Sequence, residues 1–185
     1  GYVARQGDAL VAAAADADDA ALRRTLLDEA LVAYDQALDR APGDAAVRGA
    51  QAQTHLLAAD AAADPSVASD HVDAAIAIDR ALLRASRADD ALHLDLGRAL
   101  EARAGSADDG TAPRDRDLAA AQYRAALRYV PDRLAALEGL ARLAIDEGRL
   151  RDARRYLVLA TREERAGDRF DAAIEELDRR IEAGG

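Results

Sequence analysis

The chain has no cysteine, no lysine, no asparagine, no methionine and no tryptophan, and a single phenylalanine. Without cysteine there is no disulfide, no thiolate nucleophile and no sulfur ligand for a metal. That leaves the compartment open, since cytoplasm and periplasm suit such a sequence equally. Without lysine a G-x-x-x-x-G-K-[ST] phosphate loop cannot exist, and every basic side chain is an arginine. Positive charge is short overall. Asp and Glu number 35 against 25 basic residues, a formal net charge of −10, and this argues against a nucleic-acid backbone as partner. No long uncharged apolar run occurs, so no segment reads as a membrane-spanning helix. The first residue is Gly rather than Met. We read this start as a tag scar, a processing site or a cut, upstream of which a signal peptide or anchor could have been lost.

What remains is alanine, leucine, aspartate and arginine, a usage that points to a bacterial, GC-rich genome. Half of the residues are apolar, yet strand formers are thin, and there are only 12 Gly and 4 Pro. This is the composition of an all-helical protein. Alanine faces let helices approach closely but bury little area each, so stability must come from many modest contacts.

Punctuation divides the chain into helices over 2–15, 19–40, 45–62, 65–86, 89–104, 114–129, 133–147, 150–165 and 169–182. Asp64 caps the fourth, and Pro65 stands at its first helical position, where the missing N–H has no partner to lose. Residues 105–113 read as a loop. A phrase recurs along these helices: "YDQALDRAPGD" from Tyr34 and "YRAALRYVPD" from Tyr123. The alanines Ala37, Ala81 and Ala126 fall 44 and 45 residues apart, and Ala160 follows after 34. A small residue, Gly7, Ala52, Gly97 or Ala141, stands in the helix before each. This is an internal repeat of helical hairpins, with a 34-residue frame in the last unit and about ten extra residues in the first three. One hairpin cannot bury its own apolar face, whereas stacked hairpins form a continuous core. Tyr34, Ile78, Tyr123 and Leu157 would fill the seams between successive hairpins. Segments such as Ala20–Leu27 look amphipathic, so the extra residues read as lengthened helix, with Leu22, Leu26 and Leu27 packing on a neighbour or meeting a partner.

These residues resemble the tetratricopeptide repeat (TPR). Leu137, Leu140, Ala141, Ala144, Ala153, Leu157 and Ala160 match its spacing in the last unit. Ala119, Tyr123, Ala126 and Pro131 match in the third, Ala30, Tyr34, Ala37 and Pro42 in the first, and Ala74, Ile78 and Ala81 in the second. The large aromatic near the start of the repeat is absent, and the expansions are atypical. The resemblance implies an all-α, right-handed α-solenoid of antiparallel helix pairs. Its units run over 1–44, 45–88, 89–132 and 133–166 within a single domain of 1–185. A capping helix over 168–183 closes it, covering the last hairpin with Phe170, Ala173, Ile174, Leu177 and Ile181.

Little in the sequence speaks for catalysis. The three histidines, His55, His71 and His93, are far apart and read as helical side chains rather than metal ligands. "DADD" (16–19) and "ADDG" (107–110) lack the oxygen-ligand spacing of a calcium loop and read as helix caps. No nucleophile elbow is present. The expected protein is not an enzyme and uses no cofactor or metal.

The resemblance further implies that the first helix of each pair lines a concave groove for a protein or peptide. Carried over, the candidate groove residues are Asp8, Gln53, Leu56, Leu94, Arg98, Glu101, Glu138, Arg142 and Ile145. Arg98 and Arg142 share one repeat position and could grip a carboxylate, with Leu56, Leu94 and Ile145 holding apolar side chains. Against this, Arg98 has Asp95 and Glu101 three residues away, and Arg142 has Glu138 and Asp146 four away, so ordinary intrahelical pairs could occupy both. The family's Asn- and Lys-based clamp for peptide C-termini is absent. The expected function is a non-catalytic interaction scaffold, the alternative a self-assembling module joined by edge or end contacts. Nucleic acid and direct membrane insertion are not expected.

Overall fold

The computed structural model describes residues 1–86, 88–106, 110–130, 133–162 and 167–183. Among them the order is α1 (Tyr2–Asp16), α2 (Ala20–Arg40), α3 (Ala45–Ala61), α4 (Pro65–Ala85), α5 (Asp90–Ser106), α6 (Ala112–Tyr129), α7 (Leu134–Asp146), α8 (Leu150–Ala160), a 3-10 turn (Gly167–Phe170) and α9 (Asp171–Ala183). The fold is all-α, of the solenoid type. Helices pair as α1·α2, α3·α4, α5·α6 and α7·α8, with the 3-10 turn and α9 closing the last pair. The residues cluster into two compact units, one built on α1–α4 and the other on α5–α9.

Local chemistry sets the helix boundaries. Asp19 starts α2, its carboxylate accepting from the amides of Ala21 and Leu22 at 2.7 and 2.8 Å. Asp44, Asp64 and Asp89 do the same for α3, α4 and α5. Each satisfies donors that the first helical turn leaves unpaired. Between α7 and α8 the chain turns on Gly148, whose φ is +71°. The Arg149 amide donates to the Ala144 carbonyl at 2.8 Å and the Gly148 amide to that of Ile145 at 3.0 Å, the Schellman arrangement that needs a left-handed residue. The loop between α5 and α6 is shorter than expected, because α5 reaches Ser106 and α6 starts at Ala112, with Pro113 tolerated in its first turn. Residues 107–109, Pro131 and Asp132 lie outside the described residues, as does the expected end of the eighth helix at Arg165; α8 itself ends at Ala160.

The expansions are helix. The second members of the first three pairs, α2, α4 and α6, have 21, 21 and 18 residues, whereas α8 has 11. In the first unit Leu27, 2% exposed, joins Ala14, Leu31 and Ala58, with Leu26 half-buried beside them. The extension of α2 therefore packs on α1 and on α3 of the following pair. Of the three leucines proposed for that edge, only Leu22 is exposed.

One register differs from the sequence reading. In α4 the buried stripe is Val72, Ala75, Ile76, Asp79 and Leu82, while Ala74, Ile78 and Ala81 are only half-buried. The repeat positions of the second pair are thus Ala75, Asp79 and Leu82, each one residue later than alignment on the Ala-Leu phrase places them. Ala81-Leu82 imitates the phrase one step out of phase. A buried aspartate, Asp79, stands at the helix position that tyrosine holds in the first and third pairs.

Candidate functional site

The two seam tyrosines are built alike. Tyr34 on α2 is 2% exposed and lies so close to Gly7 on α1 that a Cβ there would stand 2.7 Å from its ring. Its hydroxyl donates to Asp8 Oδ1 at 2.8 Å. Tyr123 on α6 is fully buried. It is gripped from both sides, by Gly97 of its own hairpin and by Gly139 of the next, each lacking the Cβ that would meet the ring. Its hydroxyl donates to Glu101 on α5. Burial, with the neighbouring carboxylate, pushes both phenol pKa values well above their ordinary level.

Glu101 is the centre of a network. Besides the Tyr123 hydroxyl it accepts two hydrogen bonds from Arg142 on α7, Nε to Oε1 at 2.8 Å and Nη2 to Oε2 at 2.9 Å. That bidentate pair raises the Arg142 pKa further above the guanidinium range. Arg142 therefore makes its bidentate pair across the seam, while Glu138 on its own helix acts on it only as a nearby charge. Arg98 does make an intrahelical pair, 3.6 Å from Asp95, and its side chain is about half exposed. Both arginines act electrostatically on the Tyr123 hydroxyl, so Arg98, Glu101 and Arg142 form one neighbourhood.

The remaining candidates divide. Leu94 is 4% exposed; its side chain belongs to the core and offers a ligand nothing, which corrects its assignment to a groove wall. Glu138 meets Arg169 at 3.0 Å, and Ile145 is half-buried against the core of the last pair. In the other unit Asp8 is held by Tyr34, Gln53 is exposed and Leu56 is half-buried. That unit also carries a crevice of about 340 Å³. Val11, Ala14 and Ala15 of α1, Leu27 of α2 and Leu57 and Ala61 of α3 supply its apolar wall, and Arg23 and Asp60 line it too. Leu57 is 45% exposed.

A solved structure, that of a thermophilic TPR protein from Thermus thermophilus, is similar to this chain with a TM-score of 0.67 and 19% sequence identity, over 84% of this chain and 75% of that one. The fold is TPR-like. At that identity the likeness establishes architecture and nothing finer. No protein-family model matches the chain, and no curated protein matches it. Gly7 and Gly97, on the first helices of their pairs, are in contact with Tyr34 and Tyr123 on the second.

One pairing escaped the sequence reading. His55 on α3 and His71 on α4 meet, Nδ1 to Nδ1 at 3.0 Å, with ring centroids 5.2 Å apart. The signal was present: both stand eight residues from Ala63, in the turn between the two helices, and residues equidistant from a hairpin turn lie at one level. Burial and the facing His71 lower the His55 pKa. His93, on α5, has its Nδ1 2.7 Å from Gln122 Oε1. Among the described residues no group of three or more His, Cys, Asp or Glu is placed to hold a metal, and no helix is long and apolar enough to cross a membrane.

Proposed function

We propose that the chain is a divergent TPR array with expanded early repeats, and that it works as a non-catalytic interaction scaffold. Its partner is an extended peptide or a helix docking on the first helices of each pair. The observation that carries this reading is the crevice of the α1–α4 unit, where apolar side chains of α1 and α3 stand open to solvent around Leu57. It can accept a bulky apolar side chain of a partner. Asp8, Gln53 and Leu56 on the same two helices supply polar and apolar contacts beside it. In the α5–α9 unit, Arg98 is the cation we assign to a partner carboxylate, and Ile145 on α7 is a further apolar candidate. Arg142 contributes less than Arg98, because a ligand must compete with Glu101 for it.

The test is selection of peptides from a displayed library on the full chain, followed by affinity measurement on Leu57→Asp and on the double variant Arg98→Glu/Ile145→Asp. Enriched peptides should lose at least tenfold in affinity on one of them while the circular dichroism stays unchanged. Peptides that bind both variants as tightly as the parent, or a failure to enrich any sequence, remove this site. Sedimentation over a concentration series addresses the second reading, self-assembly, for which exposed Leu22 on α2 is the contact offered. A concentration-dependent oligomer abolished by Leu22→Asp would favour it.

A further inference from the structure

The histidine pair of α3 and α4 is unused by the scaffold reading. Two imidazoles from different helices place their Nδ1 atoms 3.0 Å apart. In that state one ring must donate an N–H and the other accept. The same arrangement is close to what a metal requires. A tetrahedral ion bonded to both nitrogens at about 2.0–2.1 Å holds them roughly 3.3 Å apart, so an opening of a few tenths of an ångström admits it. The donor ring then carries its proton on Nε2, and both Nδ1 lone pairs face the ion. Both rings are half-buried on helices rather than on loops, which restricts their rotamers before any ligand arrives. The Asp35 carboxylate on α2 lies near enough to act on His55, while its Oδ1 accepts from Gln51 Nε2 at 2.6 Å. It adds negative charge that favours a dication.

We propose that His55 and His71 form a two-imidazole site for a divalent transition-metal ion of the Zn²⁺, Ni²⁺ or Cu²⁺ class, with water completing the coordination. Imidazole pairs suit these ions and not Mg²⁺ or Ca²⁺, which take oxygen ligands. With two protein ligands the ion is exchangeable, and it clips α3 to α4 rather than serving catalysis.

The experiment uses the full chain with Cu²⁺ and Zn²⁺ as probes. Electron paramagnetic resonance with one equivalent of Cu²⁺ should show coupling to two nitrogens, and calorimetric titration with Zn²⁺ should show one site per chain. His71→Ala and His55→Ala should each weaken that site about tenfold or more, on the scale of disturbed metal shells, whereas His93→Gln should leave it intact. Copper spectra without nitrogen coupling overturn the proposal. So does zinc binding unchanged in His71→Ala, which would assign the ion to surface carboxylates. Should an alanine variant fold poorly, His71→Gln keeps the bulk of the side chain and must still lose the site.

Discussion

A single tyrosine shows how tightly this stack is assembled. Tyr123 cannot move away from Gly97 without pressing on Gly139, because both helices approach its ring where neither has a Cβ. Gly139→Ala should therefore destabilise the protein by about 1–3 kcal/mol or more, the range for adding a methyl group to a filled core. Gly49, in the middle of α3, has nothing within 4 Å of where its Cβ would stand. Gly49→Ala should instead stabilise by about 0.5–1 kcal/mol through helix propensity alone. Urea unfolding of the two variants checks the contrast, and equal effects would contradict the sandwiched ring. Gly7 and Gly97 stood out in the sequence as small anchors but Gly139 did not, and nothing there told a glycine under a tyrosine from one in open space such as Gly49.

At the scale of the element, the lengthened second helices divide into a buried and an open side. Leu27→Ala in α2 should destabilise by about 2–5 kcal/mol, since Leu27 is 2% exposed among Ala14, Leu31 and Ala58. Leu22→Ala, five residues earlier on a half-exposed side chain, should stay within about 0.5 kcal/mol. Thermal unfolding of both variants decides whether the extension holds the hairpins together. At the α7–α8 turn, Gly148→Ala should cost about 1–2 kcal/mol, because alanine is strained at a φ of +71°. Gly43, in the turn before α3, has no such positive φ and should tolerate alanine.

For the whole molecule, the absence of lysine and cysteine makes alkaline stability easy to read, since tyrosine is the main side chain left to titrate near pH 10. In the folded chain Tyr34 and Tyr123 keep their protons far above that value, while the unfolded chain loses them near pH 10. The unfolded state then binds fewer protons, so stability is full below about pH 10 and falls as pH rises beyond it. The slope is about 1.4 kcal/mol per pH unit for each tyrosine. Urea titrations between neutral pH and alkaline pH should show this loss for the parent, about half of it for Tyr34→Phe, and little for the double phenylalanine variant. An equal loss in all three would mean that these hydroxyls are not held as described.

Helix content and the hairpin order were legible in the sequence, because caps, turn residues and apolar spacing act over a few neighbouring positions. Asp19, Asp44 and Asp64 cap where they stand whatever lies across from them. The pairing of Arg142 with Glu101, the one-residue shift of the buried stripe in α4, the burial of Leu94 and the meeting of His55 with His71 were decided by tertiary structure. Each depends on how far one helix slides and turns against another. That offset is set by the sum of many small alanine contacts, and no single residue announces it.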